Sequence, residues 1–169
     1  MSVSRGAMKD KKMSLFLFIT YLLFLSLVIV YKMDLSVLYG RYESGSLNLI
    51  PLAGTAVYNG VLNYPEILFN VISFIPFGMY MEMLFRKASW FTNLGIILLV
   101  SLVFEVWQFV FLLGIADITD LLANGFGGAI GINIMYVLTS IWREKAYSRV
   151  NILCLSATVF VILITYLTL

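Results

Sequence analysis

The sequence predicts an all-α, polytopic membrane helical bundle of about five transmembrane helices, on three observations. First, 62% of its 169 residues are hydrophobic, only 12% are charged, and the mean hydropathy is +0.98. A soluble domain carries about twice that charged fraction, so lipid must cover much of this apolar surface. Second, five apolar stretches approach the roughly 20 residues that a helix needs to cross a bilayer core. Third, the basic residues are distributed unevenly among the connections between these stretches.

The predicted helices run over residues 14–31, 66–85, 93–113, 121–141 and 150–169, in a single membrane domain over 1–169. The alternating pattern of a membrane β-barrel is absent. The first stretch follows Arg5, Lys9, Lys11 and Lys12, a basic start resembling a signal peptide. Its apolar run exceeds a signal core, and Tyr31, Lys32, Met33 and Asp34 follow it without a small-x-small cleavage site, so an uncleaved anchor is expected. A cytoplasmic N-terminus places Arg5, Lys9, Lys11, Lys12, Arg86, Lys87, Arg143, Lys145 and Arg149 inside, and only Lys32 and Arg41 outside. That asymmetry satisfies the positive-inside rule. Asp34, Glu43, Asp117 and Asp120 then face outward. The longest connection, 32–65, contains Tyr39, Tyr42, Tyr58 and Tyr64 and is expected at the interface or folded over the bundle mouth.

Composition excludes several chemistries. There is no histidine, so imidazole ligands and His-dependent nucleophilic pairs are ruled out. The single cysteine, Cys154, supports neither an internal disulfide nor a zinc site and reads as a small hydrophobe. A net charge of +2 gives no reason to expect nucleic-acid binding.

Polar residues inside apolar stretches are costly and mark candidate sites. Ser101, Glu105 and Gln108 share one face of the third helix, with Glu105 about 12 Å from the predicted outer end at 1.5 Å per residue. Asp117, Asp120 and Asn124 share one face of the fourth. Asp117 or Thr119 could instead cap that helix, whereas Asn124 lies too deep for capping and suits an interhelical bond. Asn70 lies at similar depth on the second helix, ahead of Pro76 and Gly78, where a kink is expected. Gly127 and Gly131 form a small-xxx-small pair, with Gly128 adjacent, and predict close helix packing. Asn70, Glu105, Gln108, Asp117, Asp120 and Asn124 are therefore the candidate binding residues, converging toward the outer face. Glu105, Asp117 and Asp120 are also the catalytic candidates, and they could hold a divalent cation. No other cofactor is predicted. The fifth stretch carries no motif and is expected to be dispensable packing or an oligomer contact.

These residues resemble the VanZ-like family. The resemblance rests on Ser46-Leu-Asn48-Leu-x-Pro51, on Asn70 followed by Phe74-Ile75-Pro76-Phe77-Gly78, and on Phe104-Glu105-x-x-Gln108-Phe109. It rests also on Gly114-x-x-Asp117-Ile-Thr-Asp120-x-x-x-Asn124-x-x-Gly127-Gly128, and it covers about half the chain, from 46 to 131. Many members carry a basic residue where Ile115 stands here. The resemblance implies a multi-pass protein of the bacterial plasma membrane, and the founding member is associated with resistance to the lipoglycopeptide teicoplanin. The partners it implies are membrane lipids and either that drug or a lipid-linked peptidoglycan precursor. The leading expectation is a non-enzymatic resistance factor with an outward-facing polar cavity. The alternatives are an intramembrane enzyme acting on a lipid-linked envelope precursor and a small, oligomeric transporter or flippase. No obvious nucleophile or basic phosphate clamp accompanies the carboxylates.

Overall fold

The computed structural model describes the backbone of residues 5–31, 46–53, 57–58, 61–62, 64–113, 115–143 and 145–168. Five helices form: α1 (Arg5–Tyr31), α2 (Tyr64–Leu84), α3 (Trp90–Val110), α4 (Ile118–Trp142) and α5 (Lys145–Thr168). Helices α2, α3 and α4 are each long and apolar enough to cross a membrane. The chain is a polytopic helical membrane protein. Lys32, Asp34, Tyr39, Arg41, Tyr42 and Glu43 lie outside the described residues.

Among the described residues four short strands accompany the helices, a feature the expected all-α class did not include. Strand β1 (Ser46–Asn48) pairs in parallel with β4 (Ile115–Asp117), and β2 (Val57–Tyr58) pairs antiparallel with β3 (Val61–Leu62). The strands are only two or three residues long, too short to leave a hydrophobic period in the sequence.

Helix boundaries follow local chemistry. Helix α1 begins well before its apolar run, because Lys and Arg are good helix formers outside the membrane as well. Ser89 caps α3 by accepting a hydrogen bond from the Thr92 N–H at 3.1 Å. At its other end α3 stops at Val110, earlier than expected, and Leu112 adopts a positive φ of 55°. Helix α2 runs as one helix through Pro76.

Glycine decides the packing at the centre of the bundle. A methyl group at Gly127 would lie 2.1 Å from the Val71 carbonyl oxygen, and one at Gly131 would lie 2.0 Å from that of Ile75. One at Gly78 would lie 2.0 Å from the Gly128 carbonyl oxygen. Helices α2 and α4 therefore meet backbone to backbone, which only residues without a Cβ allow. The register advances in the same direction on both helices, from Val71 and Gly127 to Ile75 and Gly131, so α2 and α4 run parallel. Helix α3 packs on another side of α4, where Ile97 and Leu98 occupy the space over Gly128 and Gly125.

Around this axis Phe18, Phe74, Phe77 and Tyr80 form a tilted aromatic cluster with centroid separations of 5.5 to 5.7 Å. Helix α1 packs on α2 and α5. Tyr21 on α1 donates its hydroxyl to the Ser73 carbonyl on α2. Large apolar side chains remain outward, among them Phe91, Leu99, Val103 and Val110 on α3. In water such a belt would be untenable; in lipid it is the solvated surface.

Candidate functional site

The candidate polar residues of α3 and α4 are buried inside the bundle, and hydrogen bonds connect them to different elements. Glu105 on α3, 5% exposed, accepts a hydrogen bond from the Asp117 backbone N–H at 2.8 Å. Gln108, one turn later and fully buried, donates to the Ile29 carbonyl oxygen of α1 at 2.9 Å. Asn124 on α4 donates to the Ser101 hydroxyl on α3 at 2.9 Å. Because α3 ends at Val110, Glu105 lies about 8 Å from its end rather than about 12 Å.

Asp117 is the pivot. Its Oδ1 accepts from the Thr119 N–H at 2.8 Å, which makes it the N-cap of α4. A carboxylate there satisfies an orphan amide and complements the positive end of the helix. Its Oδ2 accepts from the Asn48 side-chain amide at 3.0 Å. Asn48 and Asp117 are also partners in the β1–β4 pairing, so backbone and side chain fix the same register.

Asn48 then folds the segment that follows it. Its Oδ1 accepts from the Ile50 N–H at 3.1 Å, and its Nδ2 also donates to the Ala53 carbonyl at 2.6 Å. Leu52 has a positive φ of 59°, a strained conformation for a branched side chain, and its N–H donates to the Thr119 hydroxyl at 3.0 Å. Residues 46–53 are thereby clasped onto the start of α4. They contain no charged residue, and Leu47, Leu49, Ile50 and Leu52 are 53 to 68% exposed.

The other candidates take separate places. Asp120 is buried in the first turn of α4. Asn70 is buried on α2 and makes no hydrogen bond to Glu105, Gln108 or Asn124 among the described residues. Glu105, Asp117 and Asp120 do not form a metal-ligand set: among the described residues no three His, Cys, Asp or Glu side chains converge. The hydrogen bonds explain this, since Glu105 meets the backbone amide of Asp117 while both Asp117 oxygens are directed at other donors.

Several polar contacts carry no signal in the sequence. Thr119 holds the loop at Leu52, although its place in the Asp-Ile-Thr-Asp run suggests only capping. At the opposite end of the bundle, Ser14 on α1 and Asn151 on α5 bond to each other at 3.0 to 3.1 Å, both buried. Asn93, fully buried on α3, donates to Glu82 on α2 at 3.5 Å. Lone amides near helix ends have no spacing that would mark them. By contrast Thr20, Ser26, Asn133, Ser140 and Ser156 bond carbonyls of their own helices.

Fold and site together define a multi-helix membrane protein whose buried carboxylate, helix cap and 46–53 loop form one bonded unit. Comparison with known proteins gives that class its family. The chain belongs to the VanZ/LLP1 family, whose profile matches residues 15–142. It is 32% identical over 149 residues to Protein VanZ of Enterococcus faecium, covering 88% of each chain. No solved structure matches it.

Proposed function

We propose that this protein acts in the bacterial plasma membrane, with a cytoplasmic N-terminus and five spanning helices, and contributes to resistance to teicoplanin-type lipoglycopeptides. Family membership and the nine-to-two partition of basic residues support this reading. The parallel course of α2 and α4, which α3 connects in sequence, agrees with that threading.

The observation that carries it is the Glu105–Asp117–Asn48 chain. It ties a carboxylate inside the bundle to an uncharged loop whose four aliphatic side chains face outward. A lipoglycopeptide presents an acyl tail in the outer leaflet beside a polar peptide core. Leu47, Leu49, Ile50 and Leu52 offer apolar contact to the tail. The polar core, or a lipid-linked peptidoglycan precursor that the drug would otherwise capture, lies against this loop, above the buried Asp120 and Asn124 at the start of α4. Binding or occlusion of this kind breaks no covalent bond.

The test compares susceptibility of cells with and without the protein to teicoplanin and to a glycopeptide without a lipid tail. Selective protection against the lipidated drug is expected. Glu105→Ala and Asp120→Ala, at wild-type membrane levels, should each reduce that protection; full protection in both would overturn the assignment of the site.

A further inference from the structure

At the end of the bundle opposite the Glu105 cluster, α2, the turn after it, α3 and α4 border a half-open pocket of about 340 Å³. Its lining includes Glu82 from the last turn of α2, Arg86 from the turn that follows, Trp90 from the start of α3, and Ile132, Asn133 and Tyr136 from α4. None of these residues belongs to the outer site. The volume falls within the range of small-ligand pockets.

The chemistry of the lining is specific. Glu82 lies in the last turn of α2 and Arg86 in the turn just past its end at Leu84, and both line this pocket. A carboxylate and a guanidinium therefore line the same pocket, a match in sign for a zwitterion with an ammonium and a phosphate. A simple anion would meet the carboxylate at close range and be repelled. Glu82 is positioned from behind by Asn93, which is fully buried and donates to its Oε2 at 3.5 Å. The amide oxygen of the same side chain, Asn93 Oδ1, has no hydrogen-bond partner among the described residues. Trp90 and Tyr136 are 38% and 68% exposed, amphipathic rings of the kind that settle at headgroup level. Outward-facing Phe91 and Val137 beside them provide an apolar wall for acyl chains.

We propose that this cavity binds the headgroup of an aminophospholipid, with Glu82 receiving the ammonium, Arg86 the phosphate, and Trp90 and Tyr136 flanking the glycerol region. The site is independent of the drug-resistance reading and of which leaflet it faces.

The test uses the full-length protein, delipidated in detergent, with its thermal unfolding midpoint followed as lipid is added. Phosphatidylethanolamine should raise the midpoint more than phosphatidylglycerol, which lacks the ammonium, or phosphatidylcholine, whose quaternary nitrogen donates no hydrogen bond. Glu82→Gln should abolish the preference for phosphatidylethanolamine over phosphatidylcholine. Arg86→Gln should weaken half-saturation by all three lipids by about tenfold, as expected for a lost charge-assisted bond. Lys87→Gln removes the same charge from the neighbouring residue outside the cavity and should leave both properties unchanged. Soluble glycerophosphoethanolamine should compete with the lipid if the headgroup is what the cavity holds. Equal stabilisation by the three lipids, a preference surviving Glu82→Gln, or equal effects of Lys87→Gln and Arg86→Gln would each overturn the proposal.

Discussion

At the residue scale, Glu105 acts through an acceptor oxygen placed where a helix-initiating strand needs one. The Asp117 N–H is buried, and without Glu105 it would have lost water and gained nothing. Glu105→Ala is expected to cost roughly 1–3 kcal/mol of stability, the penalty of an unsatisfied buried donor. Glu105→Gln retains an acceptor, so it should unfold close to wild type and keep most protection against the drug. Thermal unfolding in detergent and susceptibility, measured on both variants, check this; equal loss in both would mean that the charge matters in its own right. The loop depends on Asp117 in the same way. Asp117→Ala removes a cap worth about 0.5–2 kcal/mol and also frees Asn48. Asn48→Ala leaves the cap intact but releases residues 46–53. Limited proteolysis should therefore cut the loop faster in both variants, while the unfolding midpoint falls further in Asp117→Ala.

At the scale of elements, the α2–α4 contact depends on what its residues lack. Gly127→Ala and Gly131→Ala put a methyl group into the backbone of α2, which cannot rotate away as a side chain would. Each should destabilise by about 1–3 kcal/mol through overpacking. Gly95, on α3, is exposed, and a methyl group there would meet nothing within 4 Å. Gly95→Ala should be neutral or stabilising by up to about 1 kcal/mol, since it only improves helix propensity. Unfolding midpoints of the three variants, measured in parallel, give the contrast. Equal effects would mean that α2 and α4 do not approach this closely.

At the scale of the whole molecule, the two ends of the bundle are secured differently. The end that carries Glu105 and Asp117 is tied by carboxylate, cap and strand pairing, while the other end is joined by isolated amide bonds. Ser14 and Asn151 join α1 to α5, so the fifth helix is more than a featureless apolar rod. Asn151→Ala should cost only about 0.6 kcal/mol, the average of measured interhelical bonds in membranes. Its coupling to Ser14→Ala in a double-mutant cycle should recover most of that loss. Additive effects of the two substitutions would mean that this pair does not hold α1 to α5.

The helical membrane class, the existence of five helices and the positions of their polar residues are legible in the chain itself. Hydrophobic run length, basic asymmetry and residues such as Glu105 and Gly127 are local signals, because the bilayer imposes one length and one polarity on every span. What the polar residues touch is not legible there. That Glu105 meets a backbone amide, that Gln108 reaches α1 while Asn124 reaches α3, and that Asn48 pairs with Asp117 across 69 residues depend on how the helices pack. The short strands and the Glu82–Arg86 cavity have the same origin. Sequence spacing places a group on a helix face, but the identity of its partner is set by the close approach of separate helices, and only the folded bundle brings those faces together.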